Sequence, residues 1–163
     1  MPSSIGSHLE QIHAIRYCLT RLLDGMDYCL DWKPNPSAWS TRQVIYHLLD
    51  TPPRGLAWVI NGVISGDLTE YDLWYDMDNV TPERQMHDIQ EVLLDINEFF
   101  DSIERTLAKA ENNDLSEKRA LVHNKTRLTS NERTAGEILE RGFGHHWSGH
   151  LEQLKELKKS LGI

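Results

Sequence analysis

TAGEILERGFGHHWSGHLEQLKELKKSL, residues 134–161, is the stretch on which the fold reading turns. Its first residues, Thr134-Ala135-Gly136-Glu137, have the spacing of a capping box, the signature of a helix start. Leu139, Phe143, His146, His150, Leu154, Leu157 and Leu161 then recur at steps of three and four, which predicts one amphipathic helix running to about Leu161. His146 and His150 fall on that inward stripe at i and i+4, one turn apart on one face. His145 sits about 100° round the helix from His146 and is placed at the flank.

Three further segments carry the same period. Ile5, His8, Ile12, Ile15, Leu19, Leu22 and Met26 predict a first helix from about Ser4 to Gly25. A second begins with Ser40 as N-cap and carries Val44, His47 and Leu48 before Pro52-Pro53 breaks it, with helix resuming from Ala57 to Ile64 and ending near Gly66. A third opens with Thr81 as N-cap and Pro82 at the first helical position and continues to about Ala110, its stripe being Met86, Ile89, Leu93, Ile96, Phe100, Ile103 and Leu107. An acidic, aromatic connection, Asp67 to Asp78, separates the second and third. A polar stretch, Glu111 to Arg133, separates the third and fourth, with room for a short extended piece between Arg119 and Leu128. Four amphipathic helices bury their stripes by packing together, so the expectation is an all-α four-helix bundle with a long crossover between helices 2 and 3.

At 163 residues the chain reads as a single domain, 1–163, of ordinary globular composition, 39% apolar and 26% charged. A net charge of −8 argues against a nucleic-acid partner, which needs a basic stripe. No run approaches the length of a membrane span, and the first residues lack a charged region followed by an apolar one, so no membrane partner and a cytoplasmic location are expected. Cys18 and Cys29, taken along one helix, lie roughly 16 Å apart and cannot pair, which leaves them as free thiols.

His47 also falls on the buried face of its helix, where an imidazole must find a partner or carry a desolvation cost. Three inward histidines, His47, His146 and His150, are the three-nitrogen set of catalytic metal sites that keep a position open for water or substrate. The competing reading is a structural His47 bonded to a backbone carbonyl or a carboxylate. Trp147-Ser148-Gly149 lacks the glutamate of H-E-x-x-H, which disfavours a zincin-type peptidase.

Ala38-Trp39-Ser40-Thr41-Arg42-Gln43-Val44-Ile45-Tyr46-His47-Leu48-Leu49-Asp50, followed by Thr134 to Leu139 and then by His146-x-x-x-His150-Leu151-x-Gln153-Leu154, resembles the DinB/YfiT-like superfamily, in which "QVI-x-H-L-x-D" and "H-x-x-x-H-x-x-Q" recur in this order. The motifs cover about 40 residues, and their order extends the resemblance over most of the chain. The resemblance implies an up-down-down-up four-helix bundle and a divalent metal, nickel or zinc, on His47, His146 and His150. It also implies a homodimer and a small-molecule substrate, with activity as a metal-dependent hydrolase or as a thiol transferase using a low-molecular-weight thiol. Two departures stand: Tyr46-His47 replaces a common pair of histidines, and His150-Leu151-Glu152-Gln153 lacks an arginine common after the second metal histidine. A non-catalytic bundle, serving as a binding module with structural or vestigial histidines, is the alternative.

Each remaining candidate has two readings. Asp50, one turn from His47, either orients its imidazole or is solvated. Gln153 contacts the site or other polar neighbours. Trp39, Tyr46 and Trp147 line the mouth of a pocket or pack in the core. His8 is a fourth ligand or an ordinary hydrogen-bonded histidine. The carboxylates from Asp67 to Asp78 lack the spacing of an EF-hand loop, so they read as solvated.

Overall fold

The computed structural model describes residues 4–163; residues 1–3, part of the N-terminal stretch read above, lie outside the described residues. α1 (Ile5–Leu22) starts where the Ser4 hydroxyl accepts from the Ser7 N–H, and it buries His8, Ile12, Ile15 and Leu19. Cys29 lies beyond this helix, in the turns that follow it, and both cysteines are free. α2 (Thr41–Leu49) is held by a reciprocal capping box: the Ser40 hydroxyl accepts from the Gln43 N–H, and the Gln43 side chain accepts from the Ser40 N–H. The two prolines interrupt helix, which resumes as α3 (Leu56–Ser65).

The single third helix expected from Thr81 to Ala110 is two: α4 (Pro82–Gln85) and α5 (Ile89–Ala108). The physical reason is Arg42, a buried arginine of α2. Its Nη1 donates to the carbonyls of Arg84 and His87, both at 2.7 Å, while Nε donates to Asp31 at 2.8 Å. In an unbroken helix those two carbonyls would accept from the N–H groups four residues on. Here Asp88 turns out and its carboxylate accepts the Glu91 N–H at 2.9 Å, capping α5 instead. Met86, expected on the buried stripe, is therefore exposed.

The all-α four-helix bundle, with its up-down-down-up order, is overturned by a sheet. β1 (Glu70–Leu73) forms within the expected crossover, and the polar stretch holds α6 (Asn112–Glu117), β2 (Arg119–Asn124) and β3 (Thr129–Thr134). The order is β1-β2-β3, with Glu70 opposite Leu121 in the parallel pair and Arg119 opposite Thr134 in the antiparallel one. These strands give little local signal because Glu, Asp and Asn are weak strand formers, and only β2 shows an alternation of buried Ala120, Val122 and Asn124. Pairing between segments some fifty residues apart is a tertiary event, so the mixed α/β architecture is not written in any one window.

The last helix is continuous but not uniform: α7 (Ala135–Leu139), a π-helical segment (Glu140–Trp147) and α8 (Ser148–Leu161). Among the described residues the fold therefore has seven helices and one three-stranded mixed sheet. None of these helices is long and apolar enough to cross a membrane. The core side of the last helix is Leu139, Phe143, Trp147, Leu151, Leu154 and Leu157, so the stripe expected to run through His146 and His150 passes instead through Trp147 and Leu151. α1 packs on α5 and α8, α2 on α8, and α3 on α5 and α7, while β2 and β3 lie against α3 and α7.

Replacing Arg42 with Met is expected to lower stability by roughly 3 kcal/mol, because the His87 carbonyl loses its donor, the Arg84 carbonyl keeps only the His87 N–H, and Asp31 loses its cation. Denaturant melts of R42M and wild type measure this, and a difference under about 0.5 kcal/mol would remove Arg42 as the cause of the α4–α5 break.

Candidate metal centre

α2 supplies His47, the π-helical segment His146, and α8 His150. One ring nitrogen from each lies within 4.8 Å of the other two, and the rings sit 4.8 to 4.9 Å apart between centroids. Two of the three are oriented through their second nitrogen. His47 Nδ1 lies 2.6 Å from the Met77 carbonyl, which can only accept, so Nδ1 carries the hydrogen and Nε2 keeps its lone pair. His150 Nδ1 lies 2.6 Å from Gln153 Oε1, which assigns the same tautomer to His150.

His47 Nε2 and His146 Nε2 face each other at 2.8 Å. Two imidazole nitrogens sharing one tetrahedral cation would stand roughly 3.3 Å apart, so this pair would open by about half an ångström to hold it. Without a cation, the same distance is a hydrogen bond from His146 Nε2–H to His47 Nε2. The donor set fits a divalent ion that prefers imidazole. Burial disfavours the charged form of two of the rings: it pushes His146 down to about 3, with His150 and His47 adding to the effect. It also lowers His47, against the Met77 carbonyl, which favours the protonated ring. Asp76 and Asp78 act on His47 in the same direction as that carbonyl, placing negative potential beside the cluster.

A loop after β1 closes this side of the site and is pinned to α2. Asp78 accepts from Gln43 Nε2 at 2.8 Å, and Asn79 Nδ2 approaches the Tyr46 and His47 carbonyls at 3.4 and 3.5 Å. The acidic connection, expected to be solvated, therefore provides Met77 and ties down Asp78. It also provides Tyr75, whose ring lies 5.1 Å from His146, while Trp39 lies 4.9 Å from His47. Sequence reasoning missed Met77 and Tyr75. A backbone carbonyl has no residue signature, and the only hint of Tyr75 was the aromatic content of the loop.

The other candidates separate. Gln153 joins the site through His150. Asp50 does not orient His47, because it accepts from Arg84 Nη1 at 2.6 Å. Tyr46 turns elsewhere: its hydroxyl donates to Asp95 at 2.6 Å beside His87 Nδ1 at 2.9 Å, and burial pushes its pKa above the ordinary phenol range. Trp147 is a core residue, stacked on Phe99 at 5.1 Å and edge-on to Phe100 at 5.2 Å. His8 is buried and outside the cluster, with Nε2 unpartnered, and His145 is exposed near Glu140. A cleft of about 570 Å³ lined by Trp39 and Met77 adjoins one side of the cluster, and a crevice of about 20 Å³ reaches His146 from another. A cavity of about 840 Å³ elsewhere on the molecule touches none of the three histidines.

Comparison with protein-family models, with curated proteins and with solved structures finds no match for this chain.

Two outcomes are expected. Since the folded His146 binds its proton far more weakly than an unfolded histidine near 6.5, the unfolded chain holds more protons between about pH 6.5 and 3. Stability of metal-free protein is then full above pH 6.5 and falls as pH drops through this window, and H146Q shows a flatter decline in pH-dependent thermal melts. An equal slope in both proteins would contradict the burial argument. Removing the Gln153 amide in Q153A should weaken divalent-ion affinity about 10- to 100-fold in a competition titration with a chromogenic chelator.

Proposed function

We propose that the chain is a cytoplasmic metal-dependent enzyme, a hydrolase or thiol S-transferase acting on a small molecule, with one divalent ion held by His47, His146 and His150. The observation that carries the reading is the convergence of three imidazoles, two of which donate their second N–H to an oxygen, the arrangement that orients metal-binding histidines. Three protein ligands leave coordination positions free, as catalytic sites do and closed structural sites do not. A bound nickel or zinc ion supplies Lewis acidity and lowers the pKa of a coordinated water or thiol, making a nucleophile at neutral pH.

The chain's own residues have separable tasks. Burial keeps His47 and His146 unprotonated, so protons do not compete for their lone pairs at neutral pH. The Met77 carbonyl and Gln153 hold the hydrogens of His47 and His150 on Nδ1, aiming Nε2 inward. Trp39 and Tyr75 cover the rings of His47 and His146 and keep bulk water from those sides. Asp76 and Asp78, at the cleft beside His47, favour a cation by their charge.

Kinship with the DinB/YfiT-like superfamily belongs to the same proposal and rests on the two motifs alone; such kinship has to accommodate the sheet. The homodimer and the low-molecular-weight thiol come only with that kinship. The 2.8 Å approach of His47 and His146 also suits a second reading, a binding module whose histidines hydrogen-bond one another. Elemental analysis of protein purified without added metal, beside H47A, H146A and H150A, separates the two. About one ion per chain in wild type and a loss in all three variants is expected, whereas equal content throughout sinks the metal centre.

A further inference from the structure

The crevice at His146 holds a buried cation with no counter-ion. Arg133, the one buried residue of β3, sits opposite Ala120 of β2, whose small side chain leaves space on the inner face of the sheet. The residue is 9% exposed, and its buried Nε has no hydrogen-bond partner. Among the described residues no carboxylate pairs with it, although six other basic side chains and four histidines do find acidic partners or lie close to them. Arginine cannot shed its proton to escape this situation. An unpaired buried charge is strongly unfavourable, so its retention points to something outside the chain that completes it.

The surroundings narrow what that is. Arg133 lines the crevice with Tyr71, Tyr75, Arg141 and His146, and no Asp or Glu belongs to its wall, on a chain where acids outnumber bases by 25 to 17. The pocket therefore attracts an anion against the sign of the whole molecule. Its volume, about 20 Å³, admits one small group and not a ligand's body. A planar carboxylate matches the guanidinium fork through two parallel hydrogen bonds with its two oxygens alone, whereas a phosphate brings two further oxygens into the same small volume.

We infer that Arg133 anchors a carboxylate of the small molecule on which the site acts, so that the substrates are organic acids held by one end beside His146. This deepens the proposed function and rests on it for the meaning of the location, but not for the test. Metal-free wild type, R133M and R133K are titrated with propionate, with inorganic phosphate and with chloride at matched ionic strength, following the melting temperature and intrinsic fluorescence. Propionate is expected to raise the melting temperature of wild type. Its affinity should fall at least about tenfold in R133M and by less in R133K, which keeps the charge but loses the fork. Ligand-free R133M should be no less stable than wild type, since an unpaired buried charge has been removed.

No response of wild type to propionate, an equal response in R133M, or a response to phosphate in place of propionate overturns the assignment. So does a large loss of stability in ligand-free R133M, which would mean that Arg133 has a structural role. If R133M does not fold, R133K decides, and undiminished propionate binding there overturns the anchor. Metal content of the same proteins as purified, measured before any ion is stripped, keeps the two readings apart: propionate binding by a wild type that carried no metal on purification supports the anchor and sinks the metal centre.

Discussion

Leu139, Phe143, Trp147 and Leu151 follow one another at steps of four, and a helix of 3.6 residues per turn cannot keep them on one face. Each step drifts by about 40°, so three steps would swing Leu151 roughly 120° away from Leu139. The wider turns of the π-helical segment absorb that drift and bring Phe143 and Trp147 together at 5.7 Å, against Phe99 and Phe100. Gly142 and Gly144 permit it: a Cβ on the first would lie 2.6 Å from Leu56, and on the second 2.5 Å from the Glu140 carboxylate. The Ser148 hydroxyl donates to the Phe143 carbonyl at 2.9 Å, satisfying an acceptor in the widened stretch. His146 and His150, each one position before a core residue, are thereby carried together onto the neighbouring face, where α2 presents His47.

Two buried arginines show how charge is handled in this fold. Arg42 has a partner for each part of its fork: Asp31 on Nε and Nη2, and two carbonyls on Nη1. It interrupts what would be one long helix and fixes α4 and α5 against α2. Arg133 is also buried but has no acidic partner, and it lines the crevice that reaches His146. Within one chain, the first shows what a structural buried arginine requires, which is what gives the incomplete second one its meaning.

The loop after β1 joins sheet to site. Tyr75 N–H donates to Thr126 Oγ1 at 2.8 Å in the connection after β2, and Gln43 holds Asp78 from α2. The sheet is thus more than an insertion between helices: it places Tyr75 beside His146 and Met77 against His47, and it brings Arg133 into the crevice that reaches His146. Without the β1–β2 pairing, the three imidazoles would lack the carbonyl that orients His47.

The residues themselves determined where helices start and stop, because caps and prolines act within a few positions: Ser4, Ser40, Thr81 and Thr134 each accept from an N–H three residues on, and Pro52-Pro53 breaks the second helix. They also marked His47, His146 and His150, since spacing along a helix is a local property. The tertiary structure alone decided the sheet, the break before α5 and the register of the last helix. Each of these depends on a partner distant in sequence: β1 for β2, Arg42 for the carbonyls of Arg84 and His87, and the Phe99–Phe100 pair for Trp147. Propensity and period report what a segment prefers by itself, whereas a carbonyl claimed by a remote guanidinium, or an aromatic ring seated in a remote cluster, changes that preference only once the chain has folded.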